Sequence, residues 1–312
     1  MEALRIGRRG GDLALTFNLP LQRANILTST AWVFLARGDL DQALKTAHEA
    51  VTLLDPGSGQ PSFTQAMNFV FASVAEGAIL GDDDGISLGR PDEAVRVLER
   101  AFSLADDWVH RDPNDQSSRN HVSTSGSLLA DILRHSNPRR ALSVYDHVLQ
   151  HMAEIRSTGL QLNEAYALSG SSYALRRLGR PAEARRRLDA AFTRLSQLKL
   201  YPTDKVEVGG YADAALLALA DHEAETGNVA RGIEIYQELL DRARGEKPET
   251  RLVDAVNLST IYRSMAALYR RAGRAELAST METQRLELWR QWDRKLPNNP
   301  FVLRQLAAVP AA

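Results

Sequence analysis

Six times along this chain a helix-ending turn is followed, a few residues later, by alanine or glycine at one fixed register. The turns are Gly38-Asp39, Gly89-Arg90-Pro91, Asn137-Pro138, Gly179-Arg180-Pro181, Gly227-Asn228 and Gly273-Arg274. The small residues that follow are Ala43, Ala94, Ala141, Ala184, Gly232 and Ala278. Glycine supplies the left-handed residue that closes a helix, and proline suits the first helical position of the next. A helix interior free of constraint would mix Leu, Glu and Lys into such a register. Small residues throughout mean that two helices cross there at close range. The chain is therefore a series of helix hairpins.

The stretch from Ala24 to Pro56 shows the unit most plainly. Counted from Ala24, apolar or small residues fall at places 4 (Leu27), 8 (Ala31), 11 (Phe34), 20 (Ala43), 24 (Ala47) and 27 (Ala50). Asp39 with Gln42 three residues on reads as a capping box. This pattern resembles a tetratricopeptide repeat, and the resemblance covers nearly the whole chain. Successive place-20 residues stand 43–51 residues apart, against about 34 in the standard unit. Longer helices and longer links take up the excess, notably the polar loop Gly81–Gly89 and the turn Asp112–Asp115. The expected fold is all-α, a right-handed superhelical solenoid of about six long helix pairs with a short C-terminal capping helix.

One domain spanning residues 1–312 is expected, since a repeat array is continuous. Residues 1–21 read as a partial unit or N-terminal cap, 22–294 as six pairs, and 295–312 as a cap or tail. In the sixth unit Glu282 and Arg285 occupy places 24 and 27, which suggests a polar outer face at the end of the array. Trp289, Trp292 and Phe301 are expected to be buried where the tail covers the last pair. The ending Leu288–Phe301 (LWRQWDRKLPNNPF) and the links resemble the repeat region that follows the kinase domain in large bacterial serine/threonine kinases.

Composition narrows the chemistry. The absence of cysteine removes disulfides, thiolate metal sites and cysteine catalysis together. A net charge of -1 offers no global attraction to nucleic acid or acidic membranes. No signal peptide is read at the N-terminus and no run approaches a membrane span, so a cytoplasmic location is the expectation. His110-Arg111-Asp112 spells a kinase catalytic tripeptide, but Pro113 follows where Leu belongs and Ser117 stands where Asn should be. Asp82-Asp83-Asp84-Gly85 fails the EF-hand template, because counting back from the glycine puts Leu80 at the first ligand place. It reads as a solvated loop. His147 and His151, with Glu154 beyond them, have a helical metal-ligand spacing, yet they flank the buried Val148 stripe and no metal site is assigned. The arginine cluster 176–194 reads as a solvated helix face.

No constellation of residues supports an enzyme, and no cofactor is expected. The function implied by the resemblance is a protein-interaction module that binds an extended or helical segment in its concave groove, as part of bacterial signalling. A regulatory domain that closes on a small molecule or signalling peptide is the alternative. In such arrays, the resemblance implies, places 2, 5, 9, 12 and 13 of each first helix face the groove. Here these give Asn25, Thr28 and Trp32, then Asn68 and Phe71, then Ser123 and Arg134. Tyr166, Ser169, Tyr173, Arg176 and Arg177 follow in the fourth unit, and Arg263 and Arg270 in the sixth. The arginines suggest a somewhat acidic protein or peptide partner. Nucleic acid and membrane insertion are not expected, and oligomeric state is left open.

Overall fold

The computed structural model describes residues 2–57, 59–153, 158–204, 206–244 and 246–308. Its elements are α1 (Glu2–Thr16), α2 (Pro20–Ala36), α3 (Leu40–Leu54), α4 (Phe63–Gly81), α5 (Pro91–Arg111), α6 (Gln116–Ser136) and α7 (Pro138–Met152). There follow α8 (Thr158–Arg177), α9 (Pro181–Gln197), α10 (Tyr211–Glu225), α11 (Val229–Arg244), α12 (Leu252–Arg271), α13 (Ala275–Lys295) and α14 (Pro300–Ala307). Each of α2/α3, α4/α5, α6/α7, α8/α9, α10/α11 and α12/α13 is an antiparallel pair, and consecutive pairs stack. No strand occurs among the described residues.

The turns recur because their chemistry does. At Gly38 the amide of Asp39 reaches Phe34 O and that of Gly38 reaches Leu35 O, satisfying carbonyls the helix end leaves free. The same pair of bonds closes α8 at Gly179, α10 at Gly227 and α12 at Gly273, all with positive φ. Asn137 caps α7 through Arg140 N at 3.2 Å. Asp39, read as half of a capping box, makes no side-chain cap bond. The backbone turn already holds that helix start in place.

The place-20 residues are buried as expected: Ala43, Ala94, Ala141 and Ala184 have no exposed surface. At Gly232 a Cβ would lie 2.8 Å from Ala220 O, so this crossing needs glycine. Ala184→Leu should overpack its crossing and cost about 1–3 kcal/mol in urea denaturation. An unchanged midpoint and slope would mean that the register is slack.

α4 alone among the described helices is long and apolar enough to cross a membrane by length and composition, a property the sequence reading passed over. Here it is a core helix, packed among α2, α3, α5 and α6.

The C-terminal segment does more than cover the last pair. Trp289, Trp292 and Phe301 are buried, with Trp289 and Phe301 edge to face at 5.7 Å. Beyond them the segment crosses to the beginning of the array. Asn299 Nδ2 donates to Gly38 O at 2.6 Å, and Arg304 donates to Ser87 O at 2.5 Å and Leu88 O at 2.9 Å. Leu252 and Leu296 pack beside Gly38. One hydrophobic cluster therefore runs from Ala31 and Leu40 through to Trp289 and Val302. The solenoid closes on itself.

Closure also corrects the reading of the sixth unit. Arg285 is not on a polar outer face. It is buried under α14, donating to Ser259 Oγ at 3.1 Å, with Ala308 O at 3.4 Å and Glu282 at 3.8 Å.

Candidate functional site

The first helices α6, α8, α10 and α12 line the inside of the closed array, and between them lies a cleft of about 600 Å³. Its walls carry Arg134 and His135 from α6, Tyr166 and Tyr173 from α8, Asp213 and Asp221 from α10, and Asn257 and Arg263 from α12. The loop Asp82-Asp83-Asp84 completes it. This loop is not simply solvated. Leu88 N and Arg90 N bond back to Ile79 O and Leu80 O, and Arg304 holds the carbonyls of Ser87 and Leu88, so the loop is anchored at the cleft with Asp83 and Asp84 still exposed to solvent.

Arg134 organises one wall. It is buried and ion-paired to Asp84 and, at 3.1 Å, to Asp131. Asp131 Oδ1 also accepts from Tyr145 OH at 2.5 Å, and its Oδ2 from Tyr166 OH at 3.0 Å. Arg134 and Arg176 lie over the Tyr173 ring at 4.7 and 4.4 Å, a stacking that guanidinium planes favour. Burial by itself would depress the Arg134 guanidinium, but Asp84 and Asp131 hold it well above its usual value.

The opposite wall carries the acids of α10, with Arg176 acting on Asp221 and Arg242 on Asp213. Asp213 Oδ2 accepts from Gly209 N at 2.9 Å, while its Oδ1 is buried with no hydrogen-bond partner among the described residues. Burial pushes this carboxyl up to about 6, against some relief from Gly209 N and Arg242. Asp82 is pushed further, to about 7, by burial first and then by Asp84 and Asp131. Asp221 accepts from Tyr236 OH at 2.6 Å and is raised chiefly by burial. His135, beside Asp83 at 4.0 Å, is lowered by burial and by Arg134 and Arg177.

The residues expected to face the groove divide into three groups. Arg134, Tyr166, Tyr173 and Arg263 line the cleft, and Ser123 lines an adjoining hollow with Tyr166 and Asp131. Thr28 and Ser169 do not face any groove. Both are buried and bond their own helices, to Ala24 O and Ala165 O. Asn25 opens instead onto a hollow between α1 and α2. Trp32 packs against the main core, Asn68 is half-buried, and Phe71 is exposed away from the cleft lining.

The arginines expected to meet an acidic partner are largely engaged within the chain. Arg176 pairs with Glu225 at 2.7 Å and Arg270 with Glu282 at 2.9 Å, while Arg177 lies 2.9 Å from His135 Nδ1. Across the 176–194 cluster, Arg180, Arg185, Arg186, Arg187 and Arg194 likewise meet carboxylates. The acids were the part missed. Asp213, Leu217 and Asp221 recur every four residues on one face of α10, a legible pattern in a helix where no groove position was assigned.

The Tetratricopeptide repeat family model matches residues 26–54 and 165–190, which lie in the first and fourth pairs. No curated protein sequence matches the chain. Among solved structures, the apo form of RapI is similar with a TM-score of 0.54 and 10% identity, over 94% of this chain and 100% of that one. BtubC (BKLC) from P. vanneervenii is similar with a TM-score of 0.52 and 15% identity, over 83% of this chain and 92% of that one. A Rap protein complexed with competence and sporulation factor gives 0.50 and 11%, over 98% and 84%. The fold is thus that of a tetratricopeptide-like solenoid, and two of its six pairs carry the repeat's own sequence pattern.

Proposed function

We infer that the chain is a non-enzymatic interaction module whose internal cleft takes a segment of a partner protein bearing a positively charged group. The observation that carries this reading is Asp213: a buried carboxylate oxygen on the cleft wall with no donor among the described residues, in a group already pushed toward protonation by burial. A lysine or arginine entering beside Asp213 would satisfy that oxygen and offset the burial of its charge. A partner of net acidic character would meet the carboxylates of the cleft first. The repeat-like fold adds support, and one structure of similar fold is a Rap protein complexed with competence and sporulation factor. The ending resembles the repeat region that follows the kinase domain in large bacterial serine/threonine kinases, which suggests a cytoplasmic bacterial signalling protein; a kinase domain encoded upstream in the same reading frame would bear that out.

The size of the cleft favours a second reading in the same chemistry. About 600 Å³ lies in the range of small-ligand pockets, and a free organic amine would fit it.

Selecting random dodecapeptides on the full chain distinguishes these. The expected result is enrichment of peptides sharing a lysine or arginine, with binding weakened at least tenfold by Asp213→Asn. Binding should also strengthen from pH 5.5 to 8. Asp213 and Asp82 titrate near 6 and 7 in the free protein. Below those values a cation must displace their protons, so lower pH opposes binding. Enrichment of acidic peptides, or indifference to Asp213→Asn, would overturn the reading. Binding of spermidine but no peptide would favour the small-ligand form.

A further inference from the structure

On the outer face of the array, three side chains from two helices converge on one point. Asp106 lies on α5, and His147 and His151 lie one turn apart on α7. His147 Nε2 is 2.7 Å from Asp106 Oδ1, His151 Nε2 is 3.0 Å from the same oxygen, and the two Nε2 atoms are 3.1 Å apart. The helical spacing pairs the two histidines with Glu154, which lies outside the described residues. The carboxylate that completes the set comes instead from 41 residues upstream of His147, a distance no local motif spans.

This triangle is awkward as a set of hydrogen bonds. Each Nε2 has a single in-plane position, either an N–H or a lone pair. If both donate to Asp106, two N–H groups face each other across 3.1 Å; if one is a lone pair, it loses its bond to the carboxylate. A cation uses all three lone pairs at once. Around a tetrahedral zinc at about 2.0–2.1 Å, neighbouring ligand atoms stand roughly 3.3 Å apart. The observed edges are a few tenths of an ångström shorter, so the ligands need only spread slightly. An ion bound to all three would sit out of their plane, with a fourth position left for another ligand.

The surroundings hold the ligands in place. The edge of Phe102 packs on the His147 ring at 5.5 Å, and the His147 and His151 rings meet at 4.7 Å, near perpendicular. Arg119 donates to His151 O at 3.0 Å and to Pro113 O, fixing the end of α7. Its Nη1 also stands 3.5 Å from His151 Nδ1, so Nε2 is the nitrogen left to face the cluster. The side chains are 34%, 13% and 22% exposed for His147, His151 and Asp106. That is open enough for an ion to enter and closed enough to limit their freedom.

We propose that Asp106, His147 and His151 form a zinc-binding site that staples α5 to α7, the second helices of two consecutive pairs. Two imidazoles and a carboxylate suit zinc, and a chain without thiolates has no competing soft site. The ion would tie the outer surface of the second and third units across the α6 that lies between them.

The test uses the full chain without an affinity tag, stripped with a chelator and titrated with zinc against a chromophoric competitor. One ion per chain is expected. His147→Ala, His151→Gln and Asp106→Asn should each weaken binding at least tenfold and abolish the visible absorption of the cobalt-substituted protein. Zinc should raise the melting temperature of the parent and leave that of the variants alone. His48→Ala, which alters a separate histidine-carboxylate pair with Glu76, should bind like the parent. Circular dichroism checks that each variant folds, and His151→Gln keeps the volume of the ring's inner half should the alanine variant fail. No stoichiometric zinc, or zinc held equally well by Asp106→Asn and His151→Gln, would overturn the proposal.

Discussion

Phe301→Ala should destabilise the chain by about 3–5 kcal/mol, the cost of emptying a buried aromatic site. Phe301 is 2% exposed and stands edge to face on Trp289, which is wholly buried. Its neighbour Leu303 is 45% exposed and offers an internal control, since Leu303→Ala removes little buried surface. Urea denaturation of the two variants separates a structural closure from a loose appendage. Similar small losses in both would show that α14 contributes nothing to the fold. The effect should also reach the opposite end of the chain. Asn299 and Arg304 grip the Gly38 turn and the loop after α4, so hydrogen exchange at Gly38–Leu40 should accelerate in Phe301→Ala. Nothing local to residues 38–40 would cause that.

The hairpins were legible because each carries its own punctuation. Glycine or asparagine turns, proline starts and small crossings are all local signals, and the six crossings fell where their register put them. The closure was not legible. Trp289, Trp292 and Phe301 announce a buried surface, but no spacing in a sequence says that Asn299 will meet Gly38, 261 residues away. Arg285 was misplaced for the same reason: a charged residue at a core register looks like an edge until the segment that covers it is known.

The site was half legible. Tyr166 and Tyr173 on α8 and Arg134 on α6 came from counting positions in the repeat, and all three line the cleft. Thr28 and Ser169 show where it slips: Ser169 shares α8 with Tyr166 and Tyr173, yet its hydroxyl turns back onto its own helix, as that of Thr28 does. The acids escaped because Asp82-Asp83-Asp84 was judged as a loop in isolation. Only the anchoring of Ser87 and Leu88 by Arg304 holds it at the cleft. Asp106 with His147 and His151 is the same kind of omission, a set assembled across pairs.

Arg134→Met should cost about 3–5 kcal/mol, as breaking a buried ion pair from one side does. The loss would not come from the missing attraction alone. Methionine fills most of the volume, but Asp131 and Asp84 would remain in a cleft that already pushes carboxyls upward. Asp131 would keep its bonds from Tyr145 and Tyr166 and lose its ion pair with Arg134. Its pKa, already raised by burial, should rise further. A carboxyl whose folded pKa exceeds its unfolded value binds more protons when folded, so its contribution to stability falls as pH rises above the unfolded value. The penalty in Arg134→Met should therefore be larger at pH 8 than at pH 5. Adding Asp131→Asn removes the stranded charge while leaving an oxygen for the tyrosines. The double variant should then be more stable than Arg134→Met alone at pH 8, a coupling of the kind neighbouring residues show. Additive losses from the two substitutions, equal at both pH values, would mean that Arg134 acts by packing on Tyr173 and not by holding the acids of the cleft.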